Sequence, residues 1–308
     1  MANCLVVGGA GFIGSHLVEA LVGRGDTVRV LDDLSTGHLH NLAGVDGKFE
    51  FIRGDILDEE TMRRAMTGID RVFHLAAMVS VPQSMVQPAK AELVNALGTL
   101  NVLLSAREEG VRRVVLSSTS AVYGDEPTLP KIETMPPCPK SPYAISKLAA
   151  EHYCQLFTDA FGLETAILRY FNVFGPRQDP SSAYSGVISI FADKMARGES
   201  PLIYGDGEQT RDFVFVTDVV QANLLAAEHP QAAGRIFNIG AGQAVSINHL
   251  FRTMADIYRV DLSPHYQPAR SGDIRHSYCD PVAARDGLGW SAQVDFETGL
   301  RRLTQSLG

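Results

Sequence analysis

The most constraining stretch of this chain lies near its start. Cys4-Leu5-Val6-Val7 is a short, apolar, partly β-branched run bounded by glycine, which suits a buried parallel strand. Gly8-Gly9-Ala10-Gly11-Phe12-Ile13-Gly14 follows, and then a helical pattern through Leu17, Leu21 and Val22. Glycines at 8, 11 and 14 between a strand and a helix let the backbone come close to a pyrophosphate, which rests on the helix N-terminus. Gly8, Gly11, Phe12, Ile13 and Gly14 are therefore candidate dinucleotide contacts.

The next segments extend that reading. Thr27-Val28-Arg29-Val30-Leu31 is a second strand ending in Asp32-Asp33, and Asp32 lies 18 residues after Gly14. That is near the distance expected for the carboxylate that binds the adenosine ribose diol. Two acids there would repel a 2′-phosphate, which favours NAD over NADP. Phe49 to Ile56 reads as a third strand running into a turn, with Asp55 and Ile56 beside the adenine. Val72 to Ala77 is a fourth, whose small terminal residues, Ala76 and Ala77, admit a close-lying cofactor or simply fill a core. Pro88 to Glu109 is a long helical pattern with one polar residue, Asn95, amid its leucines. Val114 to Ser120 is a fifth strand ending in hydroxyls, at the end where open α/β sheets bind ligands.

Gly124 to Pro142 holds six prolines and reads as an irregular loop. It delivers the chain to a helix running from Pro142 to about Phe161. Tyr143 and Lys147, four residues apart, share one face of that helix. A free tyrosine has a pKa of about 10. A neighbouring ammonium is expected to pull it toward neutrality, making the phenol a general acid/base for an alcohol. Thr165 to Phe171 is a sixth strand, after which the texture becomes loop-rich. The fold expected is a doubly wound parallel (Rossmann) sheet at 1–170, carrying the cofactor and the acid/base group. A smaller mixed α/β region at 171–308 would serve mainly the substrate, with some segments returning to the first domain.

Composition narrows the partners. A net charge of −8 argues against a nucleic-acid surface. The four cysteines, Cys4, Cys138, Cys154 and Cys279, are scattered with no zinc spacing, so reduced thiols in a cytoplasmic protein are expected and no metal. No apolar run reaches transmembrane length, and the strand beginning at once leaves no room for a signal peptide, so no membrane partner is expected.

The motifs Gly-Gly-x-Gly-x-x-Gly, Asp32, Leu75-Ala76-Ala77, Ser117-Ser118-Thr119-Ser120-Ala121-Val122-Tyr123-Gly124, Tyr143-x-x-x-Lys147 and Arg169-Tyr170-Phe171-Asn172 occur in this order. Together they resemble the extended short-chain dehydrogenase/reductase family, and more narrowly its nucleoside-diphosphate-sugar 4-epimerases. The resemblance spans essentially the whole chain. It implies a catalytic set of Thr119, Tyr143 and Lys147 and a tightly bound NAD. Leu75, Asn95, Ser117 and Tyr170 would join the cofactor contacts, and Ser80, Asn172, Tyr204, Arg211, Arg270, Asp273 and Ser277 those of a UDP-sugar. Tyr204 would stack on uracil or fill the core; Arg211 and Arg270 would hold the diphosphate.

Two departures sharpen the resemblance. Similar dehydratases carry an Asp-Glu pair after the threonine, and similar UDP-glucuronate decarboxylases a glutamate at the position of Ala121, which cannot supply a carboxylate. Similar epimerases restricted to UDP-glucose and UDP-galactose carry a large residue, often tyrosine, at the position of Ser277; a serine leaves room for a C2 acetamido group. Met78-Val79 is bulkier than in similar UDP-N-acetylglucosamine epimerases. The resemblance also implies a homodimer through the helices at 88–109 and 141–161, and structural roles for His74 and His276. A reductase that releases its cofactor, a UDP-glucuronate 4-epimerase and a non-catalytic dinucleotide sensor stay open as alternatives.

Overall fold

The computed structural model describes residues 1–179, 186–269 and 274–307. Seven parallel strands form the central sheet. In chain order the first six are β1 (Asn3–Val7), β2 (Thr27–Asp32), β3 (Glu50–Arg53), β4 (Arg71–His74), β5 (Arg113–Thr119) and β6 (Glu164–Tyr170). Arg235–Ile239 adds a seventh on the far edge, so the order across the sheet is seventh, β6, β5, β4, β1, β2, β3. The order reverses at β1, and the carboxyl ends of β1 and β4 open into the crevice where doubly wound sheets bind ligands.

Both faces of the sheet are covered, as a parallel sheet requires. Helix α1 (Phe12–Gly23) and the helix Val216–Glu228 pack on one face through Leu17, Val18, Leu21, Val219 and Ala222. The helices Glu59–Met66, Gly98–Glu108 and Pro142–Phe161 pack on the other through Met62, Val102, Leu103, Ala150, Cys154 and Phe157. The helical pattern expected over 88–109 appears in three pieces: α-helix at Pro88–Glu92, a π-helical turn at Leu93–Leu97, and α-helix again from Gly98. Among the described residues, no helix is long and apolar enough to cross a membrane.

Three short two-stranded ribbons arrange the remainder. Asn172–Phe174 pairs in parallel with Phe213–Phe215, Thr210–Arg211 pairs antiparallel with Val245–Ser246, and Leu202–Tyr204 pairs in parallel with His265–Gln267. They rest on a core of their own, centred on Phe174, Phe191, Phe213, Phe251 and Leu250. The strand Arg235–Ile239 and the helix Val216–Glu228 return from this half of the chain to the main sheet.

Candidate active site

The glycine loop is shaped by close backbone contact. Gly8 has φ +83°, and a Cβ there would lie 2.5 Å from the Ala76 nitrogen. A Cβ on Gly14 would lie 2.2 Å from the Gly8 carbonyl oxygen. Only glycine lets the turn fold onto β4 and α1 this tightly. Gly11 occupies the N-cap of α1 and offers no side chain to it, so the first-turn amides at Phe12 and Ile13 face outward for an anion.

Asp32 closes the adjacent side. Its carboxylate accepts from the Ala10 amide (2.9 Å) and the Leu34 amide (2.8 Å), and it is buried. Burial pushes its pKa up, and those two bonds oppose the shift. Each oxygen keeps a second lone pair for a diol. Asp33 accepts from the Ser35 amide, and Asp55 from the Leu57 amide, fixing both turns. Ile56 is buried against Gly98. The amides of Leu75 and Ala76 both donate to the Val7 carbonyl, at 2.8 and 2.9 Å, and so turn the chain at the end of β4. Leu75, Ala76 and Ala77 are half-buried there.

Tyr143 starts a helix whose N-terminus is well determined. Ser141 caps it by accepting from the Ala144 amide (3.2 Å), Pro142 takes the first position, and the Tyr143 amide donates to Ser84 Oγ (3.1 Å). Thr119 ends β5, which brings it to the Tyr143 phenol, and its Oγ1 accepts from the Ala121 amide (3.1 Å). Lys147 follows one turn later and is only 2 % exposed.

The electrostatics differ from the sequence-based expectation. Burial raises the Tyr143 pKa above its ordinary value, and hydrogen bonding with Thr119 only partly offsets it. Burial also pushes Lys147 down to about 8, against the opposing charges of Cys154 and Glu151. In the protein chain alone, desolvation outweighs the attraction expected between the ammonium and a phenolate. The Lys147 charge reaches His74 instead and disfavours its protonated form. Among the described residues, no hydrogen bond satisfies Lys147 Nζ. A lysine so little exposed, its charged form disfavoured by burial, calls for polar oxygens such as a ribose diol. That need, the tight glycine cradle and the uncapped helix N-terminus all fit a dinucleotide.

Other expected contacts turn out to have structural duties. Asn95, fully buried in the π-helical turn, accepts from the Met78 amide (2.8 Å) and donates to the Met78 carbonyl (3.2 Å) and Ser146 Oγ (3.0 Å). Both its amide hydrogens are spent, so its side chain braces the 78 turn against the tyrosine helix and has no donor left for a cofactor. Tyr170 turns its ring into the core, and its hydroxyl pairs with Asn223 at 3.0 Å, so only its backbone stays at the strand end. Ser117 donates to the His74 carbonyl at 2.9 Å. Ser80 caps the short helix Val81–Val86 by accepting from the Gln83 amide.

The ribbons gather Asn172, Tyr204, Arg211 and Ser277 in the second half of the chain, all half-buried. The Asn172 amide donates to the Asp212 carbonyl (2.9 Å), and the Ser277 amide to the Thr210 carbonyl (3.2 Å). Arg211 Nη1 donates to the Thr210 carbonyl at 2.8 Å. Arg270 and Asp273 lie outside the described residues. Among those described, no cluster of three His, Cys, Asp or Glu side chains could hold a metal. Asp212, directly after Arg211, is buried, and nothing in its local sequence singles it out.

Comparison with known proteins settles the family. The model of the NAD dependent epimerase/dehydratase family matches residues 4–240. The chain belongs to that family. It is 40 % identical over 310 residues to a UDP-glucose 4-epimerase of Mycolicibacterium smegmatis, covering 98 % of this chain and 97 % of that one. Its fold is similar to that of a UDP-glucose 4-epimerase from Thermotoga maritima solved with UDP-glucose (TM-score 0.95, 42 % identity, 99 % and 98 % of the two chains). It is equally similar to that of a UDP-N-acetylglucosamine 4-epimerase from Methanobrevibacter ruminantium in complex with UDP-N-acetylmuramic acid (TM-score 0.95, 38 % identity, 99 % and 98 %). This family member is an NAD-dependent epimerase with the extended short-chain dehydrogenase/reductase fold.

Proposed function

We propose that the protein inverts C4 of a UDP-hexose through a transient 4-keto sugar, acting on UDP-N-acetylglucosamine and its galacto epimer as well as on UDP-glucose and UDP-galactose. The observation that carries this reading is that β5 brings Thr119 to the Tyr143 phenol, with Lys147 buried one turn along the same helix and Ala121 in place of an acid. Tyr143 takes the proton of the 4-hydroxyl and gives it back to the opposite face of the sugar. Thr119 holds the 4-oxygen and eases charge on the phenol. Lys147 holds the nicotinamide ribose and favours the phenolate once the site is filled. NAD, held by the glycine loop, Asp32 and Lys147, would supply a reversible hydride acceptor for C4. With no carboxylate at 121, the chain has no group there for the further acid/base step of elimination or decarboxylation.

Residues 171–308 serve mainly the UDP-sugar. Asn172 and Arg211 grip the diphosphate, Tyr204 stacks on uracil, and Ser80 and Ser277 border the sugar. The small, half-buried Ser277 supports a pocket open to an acetamido group. The helices at 88–108 and 142–161 leave Leu93, Leu97, Leu104, Ile145, Leu156 and Phe161 exposed, an apolar face that supports homodimerisation. A cytoplasmic location fits the four free cysteines.

The test is to supply the purified protein, with no NAD added, with UDP-glucose and separately with UDP-N-acetylglucosamine, and assay the C4 epimers. Conversion of both agrees with the reading. Conversion of UDP-glucose alone refutes the Ser277 argument, and conversion of neither, even with added NAD, refutes the activity. Tyr143→Phe should cost about 10²–10⁴ in turnover while NAD is retained.

A further inference from the structure

A single buried carboxylate, Asp212, sits at the junction of the chain segments that carry Asn172, Arg211 and Ser277. Asp212 is wholly inaccessible to solvent. Its Oδ1 accepts from the Ala241 amide at 2.7 Å. Its Oδ2 accepts from the amides of Gly242 (3.0 Å) and Cys279 (3.1 Å) and faces the Cys279 thiol at 3.4 Å. Four donors from two distant chain segments therefore converge on one side chain. A Cβ on Gly240 would fall 2.6 Å from Oδ2, so the turn after the strand Arg235–Ile239 is pressed against it.

The backbone around Asp212 carries the rest of the junction. Its carbonyl accepts from the Asn172 amide, and Arg211 precedes it directly. Thr210, one residue further back, exchanges bonds with the 275–277 segment: its amide donates to the Arg275 carbonyl (2.9 Å) and its carbonyl accepts from the Ser277 amide (3.2 Å). The Cys279 end of that segment is held by the carboxylate and by the Lys131 amide, which donates to the Tyr278 carbonyl. Asn172, Arg211 and Ser277 are thus linked through the backbone at 210–212, where the Asp212 side chain is sealed from solvent.

We infer that Asp212 is a positioning residue for UDP-sugar recognition, holding Arg211, Asn172 and the Ser277 segment in one fixed arrangement. A buried carboxylate with several amide donors suits that duty, because charged hydrogen bonds are the stronger ones and losing any of them leaves an unpaired buried group. Asparagine keeps the size but turns one acceptor into a donor facing other donors. The inference rests on the reading of Arg211 as a diphosphate ligand, so the test separates the two.

The experiment measures UDP binding by calorimetry and steady-state kinetics with UDP-glucose for wild type, Arg211→Ala, Asp212→Asn and the double variant, and assays bound NAD in each. Asp212→Asn should weaken UDP binding and raise KM about tenfold, with kcat changed less than about threefold and NAD retained. In the Arg211→Ala background the same change should cost clearly less, because the two act together. Arg211→Ala with wild-type UDP affinity refutes the diphosphate assignment. Loss of affinity in Arg211→Ala beside unchanged affinity in Asp212→Asn refutes the positioning role alone, as does a variant that only melts earlier. If Asp212→Asn does not fold, Cys279→Ala and Cys279→Ser decide the matter. The alanine should weaken UDP binding and the serine restore it; equal, wild-type affinity in both overturns the inference.

Discussion

Arg169 and Glu151 form a two-pronged ion pair inside the protein, with Nη2 to Oε2 at 2.7 Å and Nε to Oε1 at 2.9 Å, their side chains 2 % and 1 % exposed. Glu151 lies one turn beyond Lys147 on the tyrosine helix, and Arg169 belongs to β6. Ser118 of β5 donates to Glu151, and Arg169 Nη1 donates to the Tyr123 hydroxyl, which in turn donates to Asn238. The pair joins the helix that carries the acid/base group to the three strands at the sheet's edge.

Breaking one side of this pair strands a charge in the interior. Arg169→Met should destabilise the fold by about 3–5 kcal/mol, whereas Glu151→Leu with Arg169→Met should cost markedly less. Urea denaturation of the two variants compares them. A single variant within about 1 kcal/mol of wild type would show that the pair is relieved some other way.

The glycine loop makes a sharper prediction about cofactor. A methyl at position 14 would collide with the Gly8 carbonyl oxygen and the Gly9 Cα, both backbone atoms that cannot swing aside. Gly14→Ala should therefore keep its fold but bind NAD at least roughly tenfold more weakly, about 1.4 kcal/mol. Cofactor content of the purified variant, with fluorescence titration of NAD, measures this; full NAD occupancy would contradict the cradle.

His74 ties stability to pH. It is fully buried, with Nε2 3.0 Å from Thr99 Oγ1. The Thr99 hydroxyl hydrogen goes to the Asn95 carbonyl at 2.5 Å, so Oγ1 accepts from Nε2–H, and among the described residues Nδ1 has no partner. Burial, helped by the Lys147 charge, pushes the pKa from 6.5 to about 3. Between those values the unfolded chain holds a proton that the folded chain refuses. Stability is thus lost as pH falls from 6.5 toward 3, by up to roughly 1.4 kcal/mol per pH unit from this residue. His74→Asn should flatten the slope of unfolding free energy between pH 6.5 and 4.5. Parallel wild-type and variant slopes would rule the histidine out.

Much of this was legible in the chain itself, for physical reasons. The first six strands are apolar runs that a parallel sheet must bury, and the glycine spacing marks the loop because no other residue fits it. The strand Arg235–Ile239 escaped notice because Arg235 and Asn238 interrupt its apolar pattern; it is a strand through pairing with β6. The π-helical turn at Leu93–Leu97 leaves the leucine spacing looking helical. The direction of the Tyr143 shift depended on how deeply two side chains are buried, which spacing on a helix does not reveal. Asp212 looked like a neighbour of Arg211 because its donors come from residues 241, 242 and 279.

Position 277 tests substrate choice. Ser277→Tyr should lower kcat/KM for UDP-N-acetylglucosamine by about tenfold or more relative to UDP-glucose, the 1–3 kcal/mol of an overfilled pocket. Competition between the two sugars in one assay reads the ratio directly. An unchanged ratio would place the acetamido group elsewhere.

The fate of one hydrogen, that on C4, decides between epimerisation and net redox. UDP-glucose carrying deuterium at C4 is converted by the purified protein in ordinary water, with no NAD added, and the UDP-galactose formed is examined by NMR. Deuterium should be retained at C4 of the inverted product, because the hydride that leaves is the one that returns. Loss of deuterium to solvent, or a 4-keto product accumulating with reduced nicotinamide, would contradict it.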